Sequence, residues 1–377
     1  MENYYYIAFE FSLISGKEYS KCESGIKKKI YWQYKTFENA QLKINFINPY
    51  EKKQILKRRI RRRLPFFCFT KWDEPKLKIK TIKGIYIRKP WHMDGDLILN
   101  LKNIRKNNPK ARIVLEIPTY PYDKEGYALT NIPLVLKDKF WRRYLRKYID
   151  RIATYSDDDV IFEIPTIQIS NAVDAYDVKI ANIKEYKSSE INVMLCATLS
   201  YWHGYDRAIE GLNEYYKNGG TVNFILHIVG DGEEYNKLKK MINSYDLNNN
   251  VILHGKLFGK KLDLVYEQCD IGFDSMGRHR SGISYNSSLK GKEYVAKGLP
   301  IISGVKTELD YDKTYKYYKR IPADDTPVDF EQVHNFCDEI YCGENTVDVR
   351  SEIRKYANDH FTYEITMKSV LDFLKNE

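Results

Sequence analysis

Nothing restricts the fold of this chain more than its rhythm, which runs once through the first half and then starts over. Residues 4–9, 42–47, 84–88, 112–117, 151–155 and 166–170 each have the length and β-forming composition of a strand. Between them, residues 26–39, 97–108 and 140–149 carry apolar side chains at helical spacing. A polar stretch at 177–190, rich in Lys, Ser and Glu, reads as a linker. Beyond it, residues 191–199 form an almost wholly apolar run, as a strand buried on both faces should. Strands are then expected at 223–229, 251–254, 270–273 and 300–303, with helices at 204–217, 233–244, 262–268 and 288–296. Gly298 and Pro300 close the last of these helices, and helical stretches at 330–340 and 363–374 finish the chain. Strands alternating with helices in this way give parallel sheets covered on both faces. The expected fold class is therefore α/β, with two doubly wound units. Residues 1–180 form one, residues 181–360 the other, and a helix at 361–377 packs back toward the first.

The chemistry is narrowed first by what is missing. No Gly-x-Gly-x-x-Gly follows the first strand, and there is no Walker lysine loop, His-Glu-x-x-His helix or nucleophile elbow. Cys22, Cys68, Cys196, Cys269, Cys337 and Cys342 form no CxxC pair, which argues against a disulfide framework or a zinc site. No apolar run approaches the roughly 18–20 residues of a membrane-spanning helix. The opening Met-Glu-Asn-Tyr-Tyr-Tyr lacks the basic and apolar regions of a signal peptide. Reduced thiols and a cytoplasmic setting are expected.

The formal charge of +10 is local. Residues 52–63 read KKQILKRRIRRR, eight basic residues in twelve, and Leu64, Pro65, Phe66 and Phe67 follow directly. Lys57, Arg58, Arg59, Arg61, Arg62 and Arg63 are cations of the kind that contribute roughly 1 kcal/mol each near an anionic lipid surface. Phe66 and Phe67 beside them could enter the interface. The expectation is peripheral association with the inner face of the cell membrane. A plain solvated helix is the alternative. Nucleic acid is disfavoured, because the stretch lies inside a doubly wound unit rather than on a recognition module.

The second half carries its motifs in a fixed order: LCATLSYWHGYDRAIEGL, FILHIVGDGEEY, NNNVILHGKL, then CDIGFDSMGRHRSGISYNSSLKGKEYVAKGLPIISG. In that order they resemble the retaining glycosyltransferases of family four, and in particular a subgroup from bacterial polysaccharide biosynthesis. The resemblance spans nearly the whole C-terminal half. It implies the GT-B architecture, two facing Rossmann-like domains with an interdomain cleft. It also implies a glycosyltransferase of cell-surface polysaccharide assembly. The co-substrate would be a nucleotide-diphosphate sugar, with no cofactor and no metal, and the acceptor a glycan or a polyprenyl-diphosphate-linked chain. Retention in such enzymes is described as front-face substitution, in which the donor phosphate takes the acceptor's proton and no carboxylate nucleophile is needed.

By this resemblance Glu293 holds the ribose hydroxyls, since a carboxylate can accept two hydrogen bonds from a vicinal diol. Tyr285 stands where the family places a donor-sugar glutamate. Thr198 and His203 stand where it places the Arg and Lys that neutralise the diphosphate. Leaving-group charge still requires a cation, so Arg280 and Lys290 are expected to hold the diphosphate. His279, the backbone near Gly282 and the helix start at Ser287 or Ser288 would assist. A solvated basic loop is the alternative for this segment, and a packed or capping ring is the alternative for His203. In the first half Gly25 occupies the small-residue loop near donor and acceptor. The run EIPTYPYD resembles the subgroup's element and offers Glu116 as a catalytic group, with Thr119, Tyr120 and Asp123 on the acceptor side. A rigid turn around a buried, satisfied glutamate explains that run equally well. Asn171-Ala172-Val173-Asp174 resembles the family's hinge element. A nucleotide-sugar epimerase and a non-catalytic binding relative are the rival readings.

Overall fold

A computed structural model describes residues 3–9, 11–19, 22, 24–49, 81–123, 132–174 and 184–375. The basic stretch, with Lys57, Arg58, Arg59, Arg61, Arg62, Arg63, Phe66 and Phe67, lies outside the described residues. The chain divides into two compact units. One comprises Met1–Ser170 together with Tyr363–Glu377, the other Asn171–Thr362.

The first unit holds strands β1 (Asn3–Ala8), β2 (Ile44–Ile47), β3 (Ile82–Arg88), β4 (Arg112–Ile117), β5 (Arg151–Thr154), β6 (Val160–Ile161) and β7 (Ile164–Gln168). They lie in the order β2-β1-β3-β4-β5-β7-β6, and only the β6–β7 pairing is antiparallel. Both faces are covered, so alternate residues of one strand enter different cores. Tyr5 and Ile7 join Ile85, Ile113 and Leu97 on one side. Tyr4 and Tyr6 join Phe37, Tyr86 and Val114 on the other. The second core is closed by the end of the chain, through Met367, Val370, Leu371 and Leu374.

The second unit holds β8 (Glu190–Cys196), β9 (Asn223–Val229), β10 (Val251–Gly255), β11 (Ile271–Phe273), β12 (Ile301–Ser303) and β13 (Tyr318–Arg320). Their order is β10-β9-β8-β11-β12-β13, and every neighbouring pair is parallel. The apolar run that opens this unit explains its centre. Ile191, Val193, Met194 and Leu195 are all fully buried, which is the condition of an inner strand with helices on both faces.

Three segments differ from the rhythm read in the sequence. The helix expected at 140–149 lies earlier, at Ile132–Trp141, and passes into 3-10 turns over Arg142–Lys147. Leu145 is the buried residue of RRYLRK, and so single an anchor sets no helical stripe. The helix Thr346–His360 and strand β13 were not anticipated. The helix presents a narrow seam of Val349, Ile353 and Ala357 among charged residues, and Arg350 is buried beside it.

Candidate functional site

In the second sheet the chain order reverses between β8 and β11. The loops leaving the carboxyl ends of two such strands part to opposite sides, and ligands of open α/β sheets bind in the crevice they leave. Here those loops span residues 197–204 and 274–288. They meet through bare backbone: the Met276 N–H donates to the His203 carbonyl at 2.7 Å. A Cβ on Gly204 would stand 2.6 Å from the Gly277 nitrogen, and its φ of +66° is one that L side chains rarely adopt. The first glycine of the IVGDG motif acts similarly. At Gly230 a Cβ would fall 1.7 Å from the Ala197 carbonyl oxygen, so glycine lets the β9 loop lie against the end of β8.

The helix Leu289–Ala296 begins at this crevice. Ser288 caps it, its Oγ accepting the Gly291 N–H at 2.8 Å and donating to Asp274 Oδ2 at 2.7 Å. Asp274 follows β11 directly, is buried, and leaves Oδ1 without a hydrogen-bond partner. From the first turn of the helix, Lys290 brings Nζ to 2.8 Å from His203 Nε2. Burial is the main influence on both groups. It pulls the Lys290 amine down to about 8, against the opposing pull of Asp274 and with the help of nearby Arg278. It also pushes His203 well below its ordinary value, reinforced by the charges of Lys290 and Arg278. At neutral pH the proton therefore belongs to Lys290, which faces an uncharged ring. Among the described residues no carboxylate pairs with this lysine. A desolvated ammonium beside a capped helix N-terminus is equipped to hold an anion.

The other expected donor residues are spread around this centre. Glu293 lies about one turn further along the same helix, half-buried, and after burial its charge helps to raise the Cys196 thiol and the Tyr266 hydroxyl. Thr198 is exposed in the loop after β8. Gly282 is exposed and ends the 3-10 turn Arg278–Ser281 with φ 73°. Arg280, expected beside Lys290, has its guanidinium engaged elsewhere. It bonds both oxygens of Asp206 at 2.9 and 3.1 Å, Asp325 at 2.6 Å, and the Tyr201 carbonyl at 2.9 Å. His279 meets the same Asp325 at 3.0 Å. Tyr285 and Ser287 both turn toward Glu308, a residue of the loop after β12.

In the first unit Glu116 is fully enclosed. Its Oε1 accepts from Arg88 at 2.7 Å, Tyr155 at 2.9 Å and Gln33 at 3.4 Å, with Lys29 also 3.4 Å away. Lys29 lies over the Tyr155 ring at 3.6 Å. Burial opposes the charge of Glu116, but Arg88 and then Lys29 outweigh it and hold the carboxyl at about 2. All of these contacts fall on Oε1, and the buried Oε2 has no hydrogen-bond partner. Thr119 and Tyr120 stand half-buried just beyond the strand. Asp123 is forked by Arg142 at 2.6 and 3.2 Å, and Gly25 is exposed at the start of the helix Gly25–Asn39. Sequence reasoning named neither Arg88 and Lys29 nor Asp274, Lys292 and Glu308. Asp274 alone carried a signal, an acid set directly after a buried apolar strand. No group of three or more His, Cys, Asp or Glu among the described residues is placed to hold a metal ion, and no described helix is long and apolar enough to cross a membrane.

Residues 179–278 match the family described as Glycosyl transferases group 1. No curated protein matches the chain by sequence. Among solved structures, the chain is similar to a glycosyltransferase from Rickettsia africae ESF-5, with a TM-score of 0.62 at 11% identity, over 100% of this chain and 98% of that one. It is similar to the lipopolysaccharide outer core galactosyltransferase WaaB, with a TM-score of 0.60 at 14% identity, over 99% of each. The third is Anabaena HepE in complex with UDP, with a TM-score of 0.59 at 13% identity, over 100% of both chains. The fold is that of the GT-B glycosyltransferases.

Proposed function

We propose that this chain is a metal-independent, retaining glycosyltransferase. It moves a sugar from a nucleotide-diphosphate sugar to a glycan or polyprenyl-diphosphate-linked acceptor in cell-surface polysaccharide assembly. The observation that carries the reading is the Lys290–His203 contact at 2.8 Å, at the switch point of a sheet whose strands β8 to β11 lie within the family-matched residues 179–278. A cation facing a neutral ring keeps its charge for an incoming diphosphate, and Glu293 lies about one helical turn away to receive the ribose hydroxyls.

The chemistry then needs little more from the protein. As the sugar's bond to the diphosphate breaks, negative charge grows on the leaving oxygen, and Lys290 with the amides of the capped helix stabilises it. The same oxygen takes the proton of the acceptor hydroxyl as the new glycosidic bond forms on that face, so configuration is retained. Arg280, braced by Asp206 and Asp325, holds the 278–282 turn in shape. The basic stretch at 52–63 would keep the enzyme at an anionic inner membrane surface, where lipid-linked acceptors are found. Sedimentation with anionic and neutral vesicles tests that part, and equal negligible binding to both rejects it.

A thermal-shift screen of UDP-, GDP- and ADP-hexoses, followed by a nucleotide-release assay with acceptor, tests the central reading. A cognate donor should raise the melting temperature, because it binds only the native state, and nucleotide release should depend on acceptor. Binding without release would favour the non-catalytic relative, a reading that the engaged Arg280 and the tyrosine at 285 support. Absence of binding across the panel would reject both.

A further inference from the structure

The loop after β12 is stitched to the loop after β11. Tyr285 and Lys306 form a parallel bridge, and the Asn286 N–H donates to the Lys306 carbonyl at 2.8 Å. Glu308 sits where they join, and three side chains converge on its carboxylate. Oε1 forms an ion pair with Lys292 and accepts Ser287 Oγ at 3.3 Å. Oε2 takes one long bond, 3.5 Å from the Tyr285 hydroxyl. A carboxylate offers about four acceptor positions, so Oε2 keeps unused capacity. The two partners also differ in access: the Lys292 side chain is 3% exposed and that of Glu308 is 20% exposed. The buried cation balances the charge, and the Glu308 side chain is the more accessible member of the pair. Such an acceptor is suited to hydroxyl donors.

Lys292 and Lys290 belong to the same helical turn, one directed to Glu308 and the other to His203. We infer that Glu308 receives hydroxyl groups of the transferred sugar and so helps to select the donor. This rests on the glycosyltransferase reading above. Glu308 is bonded by Ser287, the residue just before the Ser288 cap, so its carboxylate stands at the helix start where Lys290 would hold the diphosphate and its attached hexose. Residue 285, a tyrosine, then acts by orienting Glu308 rather than by meeting the sugar with a charge of its own.

The test compares binding of a nucleotide sugar with that of its bare diphosphate, using UDP-, GDP- and ADP-hexoses and the matching UDP, GDP and ADP on the full chain. Glu308→Gln should weaken sugar-nucleotide binding about tenfold or more while leaving diphosphate binding within about twofold. The variant should remain folded, because Lys292 already titrates at about 7 and can shed its proton when its partner is gone. Lys292→Gln breaks the same ion pair but keeps the carboxylate, and should leave the preference for sugar nucleotide over diphosphate unchanged. If Glu308→Gln lowers both affinities alike, or changes neither, the assignment is overturned. Should the unaltered chain bind none of the nucleotides, the glycosyltransferase reading falls first and takes this one with it.

Discussion

Glu116 and Lys290 both lie toward the carboxyl ends of parallel strands, and both are charges largely removed from water. They differ in company. Glu116 is met by Arg88, Lys29, Tyr155 and Gln33, whereas Lys290 faces a neutral imidazole. A buried charge with matched partners is bound into the fold, and removing one partner strands the others. A desolvated cation that no carboxylate bonds directly retains its capacity for an anion. The contrast separates a residue that holds the first unit together from one able to hold a ligand. Arg280 falls on the Glu116 side of that line, because Asp206 and Asp325 already occupy it.

The contrast can be broken by experiment, and the largest expected effect is at Glu116. Glu116→Gln leaves Arg88 uncompensated, since Lys29 is already lowered to about 7 and can shed its proton, and should cost about 3–5 kcal/mol, read as a lower unfolding midpoint in urea. The carboxyl is held at about 2 rather than 4.5. Its stabilisation is therefore fully present above pH 4.5 and is lost as the pH falls toward 2, so the variant should also flatten the acid limb of stability. Intact stability with abolished transfer would move Glu116 back into the reaction. Next in size, Lys290→Met should weaken binding of nucleoside diphosphate about 10- to 100-fold with little change in stability, as measured by calorimetry beside a melting curve.

A third measurement sharpens the same point. The Lys290 amine is lowered to about 8, so its charge is complete well below that pH and is lost above it. Diphosphate affinity should fall as the pH rises through and beyond about 8, with bound anion shifting the fall upward. In Lys290→Met this dependence should vanish. The smallest effect belongs to Asp325→Asn. It removes the exposed half of the Arg280 clamp and should change stability by about 0–1 kcal/mol. A larger loss would show that the 278–282 turn depends on that clamp.

Most strands of both sheets were legible because each is a short apolar run between turn signals, and 112–117 and 223–229 coincide with β4 and β9. The helix Thr346–His360 was not, since its thin apolar seam is outnumbered by charge. Glu293 and Lys290 could be named from motif order alone. Their surroundings could not be named, because Asp274 and Glu308 reach the site through sheet neighbours distant in sequence. The engagement of Arg280 was hidden for a similar reason: Asp206 lies 74 residues away and Asp325 lies 45 away. A sequence reports which side chains can bear charge, but the pairing of charges is decided by topology.

The return of the chain to its first unit has a consequence for synthesis. Leu374 lies 3.1 Å from the point where a Cβ on Gly84 would be, and Arg112 bonds the Phe373 carbonyl, so the last helix packs directly on β3 and β4. Domains generally form as they emerge from the ribosome, N-terminal first. Here the first unit is the last to be completed. Every residue of Asn171–Thr362 has been made before the segment that closes the core of Tyr4, Tyr6 and Tyr86 exists. Until then that core has Ile30 and Phe37 over it but lacks Met367, Val370, Leu371 and Leu374, and a stop codon near residue 362 would leave it without them permanently.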